Sequence, residues 1–223
     1  GLSQGLGAVL IVTVFVQIFW FFGIHGPNVL APVLEGIWGQ AQLINIDIFQ
    51  KGYEGKTGTA AVLAAIDDGK AYMWVRGSFD AFAWFGDSGG TIVLIIAILL
   101  FSKRADYLTV GKLSLGPGIF NINEPIMFGL PVVLNPIMFI PFVIAPLVAT
   151  TIGWVATYLG LVAPVSQQVA WVTPPLLLSF LATGADWRAP IVALVCMVVT
   201  FLIWTPFVIA ANKMDPALGE SEQ

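Results

Sequence analysis

Charged residues, cysteine and histidine are all scarce in this chain. Only 10% of its 223 residues are charged, whereas soluble proteins of ordinary composition carry about 25%. Thirteen acidic residues stand against nine basic ones, and no basic run occurs, which argues against a nucleic-acid partner. The single cysteine, Cys196, excludes an intrachain disulfide and disfavours a thiolate metal site. We therefore expect no metal and no cofactor, and we expect Cys196 to be a buried apolar side chain.

Apolar residues are correspondingly abundant. They make up 58% of the chain, and several runs approach the length of about 20 residues that a helix needs to cross a bilayer. Irregular backbone inside a membrane is tolerated only where protein or a water-filled cavity satisfies it. The sequence therefore predicts an all-α integral membrane protein with several transmembrane helices, re-entrant hairpins and short surface helices.

The distribution of polar residues, glycines and prolines predicts where these segments lie. Charges concentrate in 39–83, which we expect to be largely wetted, with short surface helices at 37–48 and 58–66. Prolines at 131, 136, 141 and 146 predict kinks in the apolar stretch that contains them. The predicted segments are spans at 1–25, 88–102, 136–162 (kinked) and 189–211, a polar re-entrant or surface region at 26–87, a re-entrant hairpin at 111–135, a short apolar segment at 171–183 and a tail at 212–223.

The motif Asn-Ile-Asn-Glu-Pro at 121–125 puts a carboxylate and two amides into an apolar chain. Polar groups are costly there, so a functional site is the default interpretation, with a structural ion pair as the alternative for Glu124. Because Pro125 disfavours helical geometry at the residue before it and suits a helix start, Glu124 should stand near the N-terminus of a half-helix. The amides of Asn121 and Asn123 suit a neutral, hydroxyl-rich ligand.

A second helix break contains the only histidine, in Gly-Ile-His-Gly-Pro at 23–27. We expect His25 to be the partner of Glu124, and a histidine that caps a helix or reaches the membrane interface is the alternative. Trp20 and Trp171 are candidates for stacking on sugar rings, although tryptophan is also enriched at membrane interfaces. A buried titratable pair such as Glu124 and His25 could also serve as the proton relay of a secondary transporter, which would couple the movement of a sugar or another small solute to protons.

Longer motifs carry a resemblance to a known family. The motifs are Phe-Asn-Ile-Asn-Glu-Pro-Ile-Met-Phe-Gly-Leu-Pro from residue 120, Gly-Ile-His-Gly from residue 23 and Thr-Gly-Ala-Asp-Trp-Arg-Ala from residue 183. Together they resemble the enzyme IIC sugar permease of the bacterial phosphoenolpyruvate-dependent phosphotransferase system, in its lactose, cellobiose and diacetylchitobiose branch. The residues of these motifs are most similar to those of the diacetylchitobiose members.

The resemblance implies a function and site residues. The chain would be the C-terminal, substrate-binding half of a multi-pass permease in the bacterial cytoplasmic membrane, with a homodimer contact in an N-terminal half that is absent here. It would bind a β-linked disaccharide, move it inward and present its C6 hydroxyl to a phosphocysteine on the separate IIB protein, which IIA supplies. Glu124 and His25 would be catalytic. Asn121, Asn123, Trp20 and Trp171 would bind the sugar.

Overall fold

The computed structural model describes residues 2–130 and 132–213. Over these residues the regular secondary structure is helical, and no β-strand is formed. The predicted tail lies outside the described residues from 214 onward, and so does Pro131. A π-helix at Leu34–Gly39 precedes α4. The α-helices are α1 (Leu6–Phe21), α2 (Gly26–Val29), α3 (Ala31–Val33), α4 (Gln40–Lys51), α5 (Gly58–Asp67), α6 (Arg76–Phe82), α7 (Thr91–Phe101), α8 (Ala105–Ile119), α9 (Glu124–Gly129), α10 (Pro136–Tyr158), α11 (Pro175–Ala182) and α12 (Arg188–Ala211).

Two of the described helices, α10 and α12, are long and apolar enough to cross a membrane. With 23 and 24 residues they extend for about 35 Å at about 1.5 Å per residue, which exceeds the hydrocarbon thickness of about 30 Å. Both helices carry buried small residues, including Ala149 of α10 and Ala193 of α12, and Sγ of Cys196 on α12 lies 3.6 Å from the carbonyl oxygen of Ala149. The outer face of α12 exposes Leu194, Val198 and Leu202, as expected of a surface that meets lipid.

The prolines of α10 do not divide it. Asn135 caps the helix through its side-chain oxygen, which accepts hydrogen bonds from the backbone N–H groups of residues 137 and 138, and Pro136 takes the first helical position. The helix then continues through Pro141 and Pro146, both of which are buried in the core, to Tyr158. A proline removes one hydrogen bond of the helix, and the packing of α10 against its neighbours outweighs that loss.

Helix α1 ends earlier than the sequence predicts. It stops at Phe21, and its 16 residues span about 24 Å, which is short of a full crossing on its own. The chain then turns at Gly23, whose φ is +76°, and folds back so closely that a Cβ atom on Gly26 would lie 2.1 Å from the carbonyl oxygen of Val16. The break after α1 therefore brings His25 back beside the helix that precedes it.

The polar region divides into a wetted part and a buried part. Helices α4 and α5 match the two predicted surface helices in sequence to within three residues. They pack on a small apolar cluster around Val62. Helix α6 is different, because Phe79 and Phe82 are completely buried in the main core. The prediction that 39–83 is largely wetted is wrong for α6. The charges of this helix are accommodated because Arg76 donates to Asp80 over 2.8 Å.

The predicted hairpin around the Asn-Glu-Pro motif consists of α8 and α9, which pack on each other. Helix α8 begins at Ala105, before the predicted start, and continues through Pro117 to Ile119. The break in helical structure is thus confined to residues 120–123, directly before Glu124. Helix α7, in the segment predicted to span, has only 11 residues and is about 16 Å long, about half of the bilayer core.

Candidate functional site

A cavity of about 260 Å³ opens where the α1–α2 turn, α6, the turn before α7 and α9 meet. Five ionisable side chains line it: His25, Arg76, Asp80, Asp87 and Glu124. Three of them are carboxylates and one is a guanidinium, so with a neutral imidazole the wall is acidic. Such a wall favours neutral ligands that donate hydrogen bonds over anionic ones.

Glu124 is the first residue of α9, as the sequence predicts. Asn123 precedes the helix as its cap residue, and Pro125 occupies an early helical position where its missing N–H costs nothing. The side chain of Glu124 is exposed in the cavity rather than held by an ion pair among the described residues. Its carboxylate is therefore available to accept a hydrogen bond from a ligand hydroxyl.

His25 combines two of the roles weighed from the sequence. Its Nδ1 accepts a hydrogen bond from the backbone N–H of Asn28 over 3.3 Å and so caps α2, while its Nε2 faces the cavity. The closest acidic group is Asp87, whose Oδ2 lies 3.4 Å from Nε2. The expected direct pairing of His25 with Glu124 is therefore replaced by a contact with Asp87, and Glu124 lies elsewhere in the same wall.

The two asparagines of the motif bind backbone groups. Asn121 accepts from the N–H of Gly86 over 2.8 Å and donates to the carbonyl oxygens of Trp171 and Thr173 over 2.6 and 2.8 Å. Asn123 donates to the carbonyl oxygen of Ser88 over 3.3 Å. Both side chains are buried and neither lines the cavity. They connect the hairpin to the turn before α7 and, through Asn121, to the segment that contains Trp171.

The two candidate tryptophans have different positions. Trp171 is 55% exposed and lines the cavity, so its ring can contact a ligand. Trp20 is 1% exposed, and its ring centroid lies 4.7 Å from that of His25. The structure thus brings Glu124, His25 and Trp171 to one cavity and places Trp20 behind the histidine, outside the wall.

A second cavity of about 180 Å³ adjoins the first and shares Arg76, Asp80 and Trp171 with it. Amide side chains line it further out, among them Gln42 and Gln168. Arg76 also donates to Glu35 over 3.1 Å and lies 5.0 Å over the ring of Trp84. The two cavities therefore have part of their walls in common.

Sequence reasoning missed Arg76, Asp80 and Asp87. The concentration of charges in 39–83 assigns the first two to a wetted region. Asp87 precedes Ser-Gly-Gly and an apolar helix, and this glycine-rich turn was the one local signal that could have identified it. The contacts of Arg76 with Glu35 and of Asp87 with His25 join residues distant in sequence, which local patterns do not reveal.

Several known proteins resemble this chain in sequence. A family model described as "Phosphotransferase system, EIIC" matches residues 1–146. The chain is 58% identical to the cellobiose-specific EIIC component of the PTS system of Lactococcus lactis subsp. lactis (strain IL1403), over 96% of the chain and 44% of that protein. It is 35% identical to the oligo-beta-mannoside-specific EIIC component of Bacillus subtilis (strain 168), over 100% of the chain and 47% of that protein.

A solved structure is similar over the whole chain. The crystal structure of the transporter ChbC, the IIC component from the N,N'-diacetylchitobiose-specific phosphotransferase system, matches with a TM-score of 0.86 and 32% identity. The match covers 100% of this chain and 48% of ChbC. The chain therefore spans about half the length of the relatives it matches.

Proposed function

Because the chain belongs to the EIIC family of the phosphotransferase system, we propose that it is the substrate-binding half of a permease for a β-linked disaccharide. The observation that carries this proposal is the cavity, which brings together His25, Glu124 and Trp171 from three distant parts of the sequence. A carboxylate, an imidazole and an exposed aromatic ring are suited to hold the hydroxyls and the apolar face of a sugar.

The acidic wall supports a neutral substrate. Asp80, Asp87 and Glu124 outnumber Arg76 among the lining charges, and three carboxylates repel an anion such as a sugar phosphate. A neutral disaccharide meets no such repulsion and supplies hydroxyl donors to the carboxylates. The same charges favour release of the phosphorylated product once it has formed.

We propose that Glu124 accepts the hydrogen bond of the sugar's C6 hydroxyl during phosphoryl transfer. The hydroxyl oxygen attacks the phosphorus of a phosphocysteine on IIB, the S–P bond breaks with the thiolate as the leaving group, and the hydroxyl proton passes to Glu124. Phosphoryl transfer depends mainly on positioning and on the stabilisation of charge, so a carboxylate placed at the hydroxyl suffices. His25, in the same wall, orients the hydroxyl.

Trp171 is the proposed stacking residue, because its ring is exposed in the cavity. Trp20 supports the ring of His25. The asparagines Asn121 and Asn123 hold the surrounding backbone in this structure, and we propose that their contribution to sugar binding is indirect.

The sequence identities of the relatives suggest an order of preference among the candidate sugars. A cellobiose-specific protein is 58% identical to this chain, whereas the diacetylchitobiose protein is 32% identical. We therefore place cellobiose before diacetylchitobiose, which the sequence motifs favoured, and lactose after both. Phosphorylated IIB is the proposed partner, with IIA upstream, the bacterial cytoplasmic membrane the proposed location, and a homodimer through the other half of the permease the proposed assembly.

A transport assay tests the proposal. The protein, expressed at the length that its own gene encodes, is incorporated into membrane vesicles with phosphorylated IIB and supplied with labelled cellobiose, diacetylchitobiose or lactose. We expect sugar phosphate to form only when phosphorylated IIB is present, with cellobiose the best substrate. Accumulation of unmodified sugar that collapses with the proton gradient would instead indicate a secondary transporter. Equal affinity for cellobiose and diacetylchitobiose would contradict the ordering of the sugars.

A further inference from the structure

The turn before α7 presents one carboxylate oxygen of Asp87 to His25. The backbone of Asp87 has a φ of +69°, in the left-handed region. Its Oδ1 accepts hydrogen bonds from the N–H of Ser88 over 2.6 Å and from the hydroxyl of Ser88 over 3.1 Å. These bonds occupy Oδ1 and leave Oδ2 directed at Nε2 of His25, 3.4 Å away.

The other nitrogen of His25 fixes where its proton lies. Nδ1 accepts the N–H of Asn28, so in a neutral ring the proton must be on Nε2, the nitrogen that faces Asp87. The Nε2–Oδ2 distance of 3.4 Å is longer than the usual range of about 2.7–3.2 Å for an N–H···O hydrogen bond, so the pair is an electrostatic contact. The imidazole is thus held from both sides, by a backbone donor and by a carboxylate acceptor.

The Asn-x-Asn-Glu-Pro motif holds this turn in place. Asn121 accepts from the N–H of Gly86, and Asn123 donates to the carbonyl oxygen of Ser88, so the two amides bind the residues on either side of Asp87. Only glycine has room at position 86, because a Cβ atom there would lie 2.4 Å from the backbone nitrogen of Ile92. Since Glu124 directly follows Asn123, the same segment fixes both Glu124 and the carboxylate that contacts His25.

We propose that Asp87 is a positioning residue for the phosphoryl transfer: it holds His25 with the proton on Nε2, and the two asparagines of the motif fix Asp87 relative to Glu124. This inference rests on the proposed function for its catalytic part. Its structural part, the location of the proton on His25, stands independently of any reaction.

The substitution Asp87→Asn separates positioning from charge. Because the backbone N–H and the hydroxyl of Ser88 require an acceptor, the new side chain must keep its carbonyl oxygen where Oδ1 is and turn its NH₂ toward His25. Two donors, the NH₂ and the Nε2–H, then face each other, and the backbone N–H of Asn28 still faces Nδ1. The neutral ring satisfies only one of its neighbours, so it must change tautomer or rotate.

Nitrogen chemical shifts of the imidazole measure the tautomer directly. This chain has one histidine, and a difference spectrum against His25→Gln isolates its signals if the protein is longer. At alkaline pH we expect the wild type to carry its proton on Nε2 and Asp87→Asn to lose that uniform state. A wild-type ring protonated on Nδ1 would overturn the inference, and this result does not require Asp87→Asn to fold.

The kinetic test uses the same variant. We expect Asp87→Asn to lower the rate of sugar phosphorylation by about 100-fold while sugar affinity changes by less than about threefold, in line with the usual effects of misplacing an acid–base group. The matched control is Asp47→Asn, which removes an exposed carboxylate that pairs with Lys51 on α4. We expect Asp47→Asn to keep the wild-type rate.

The outcomes separate the two proposals. A wild-type protein that phosphorylates no disaccharide contradicts the proposed function, whereas the tautomer of His25 in Asp87→Asn, compared with the wild type, still tests whether Asp87 holds the ring. A wild type that is active together with an Asp87→Asn variant that keeps its rate within twofold overturns the inference alone. If the variant loses sugar binding as well, the tautomer of its His25 decides, and an unchanged proton on Nε2 overturns the inference.

Discussion

At the scale of single residues, exposure separates the two tryptophans near the cavity. Trp171 is more than half exposed and lines both cavities, whereas Trp20 is buried against His25. An aromatic contact contributes about 1 kcal/mol, and about 1.4 kcal/mol is a tenfold change in affinity. A stacking role for Trp171 therefore has a measurable size.

We predict that Trp171→Ala weakens disaccharide affinity by about fivefold, because the sugar loses its aromatic contact. The rate of phosphorylation at saturating sugar should change less, since the groups that contact the hydroxyl remain. A binding titration in detergent measures the effect. Trp187→Ala is the control, because Trp187 is 68% exposed and lies outside both cavities. Equal affinities of Trp171→Ala and the wild type would contradict the stacking role.

Local rules predicted some site residues and not others. The helix start at Glu124 and the helix break at His25 follow from adjacent prolines and glycines, whose effects extend over a few residues. The contact between His25 and Asp87 joins separate elements, and it depends on how α1 packs in the fold. Asn121 illustrates the same limit, because its partners, at Gly86, Trp171 and Thr173, lie far from it in sequence.

At the scale of elements, the crossing of α1 and α2 depends on one glycine. Gly26 packs so closely on the backbone of Val16 that a methyl group has no room there. This crossing sets the position of His25, which immediately precedes it. The sequence predicted a break at this point, but the close approach of the two backbones is a property of the packed structure.

We predict that Gly26→Ala lowers the stability of the folded protein by about 3 kcal/mol, the upper part of the usual cost of overpacking, because the obstacle is backbone. Gly7→Ala, on α1, is the control. Gly7 has no atom within 4 Å of its hypothetical Cβ, so alanine should stabilise the helix slightly. Thermal unfolding in detergent compares the two variants. Equal transition temperatures would show that the backbones do not meet at Gly26.

Other elements show where composition misleads. Helix α6 belongs to the core although charges flank its apolar residues, because Arg76 and Asp80 pair with each other. Helix α10 remains one helix in spite of its internal prolines, because packing against α12 and α1 supports it. In α10 tertiary contacts override a local tendency, whereas in α6 the neutralising pair is local, four residues apart on one helix.

At the scale of the whole molecule, the buried thiol of Cys196 reports on the core. It is 0% exposed on α12, and its Sγ lies 3.6 Å from the carbonyl oxygen of Ala149 on α10. The expectation of a buried small side chain is confirmed. Because this cysteine lies between the two longest helices, it becomes accessible only when they separate.

We predict that a water-soluble maleimide does not modify Cys196 in the folded protein and modifies it fully in denaturant, since a thiol without solvent contact does not react. Mass spectrometry follows the modification. A Glu54→Cys variant provides the comparison, because Glu54 is exposed and a thiol there should react quickly without denaturant. Rapid modification of Cys196 in the native protein would contradict the packing of α10 on α12.

The chain as a whole resembles half of an EIIC permease, and residues of this half line the cavity. The lining residues lie between positions 25 and 171 and come from several separate elements, so the site and the fold form together. The central claim is that this cavity is where a sugar hydroxyl is positioned for phosphoryl transfer, with Glu124 as the acceptor.

The most direct measurement is the phosphorylation rate and the sugar affinity of Glu124→Gln, determined side by side with the wild type and phosphorylated IIB. We predict that the variant binds the disaccharide within a few-fold of the wild type and phosphorylates it about 100-fold more slowly or worse, because the amide keeps the shape of the side chain but cannot accept the proton. Glu54→Gln serves as the control. A wild-type rate in Glu124→Gln would contradict the account.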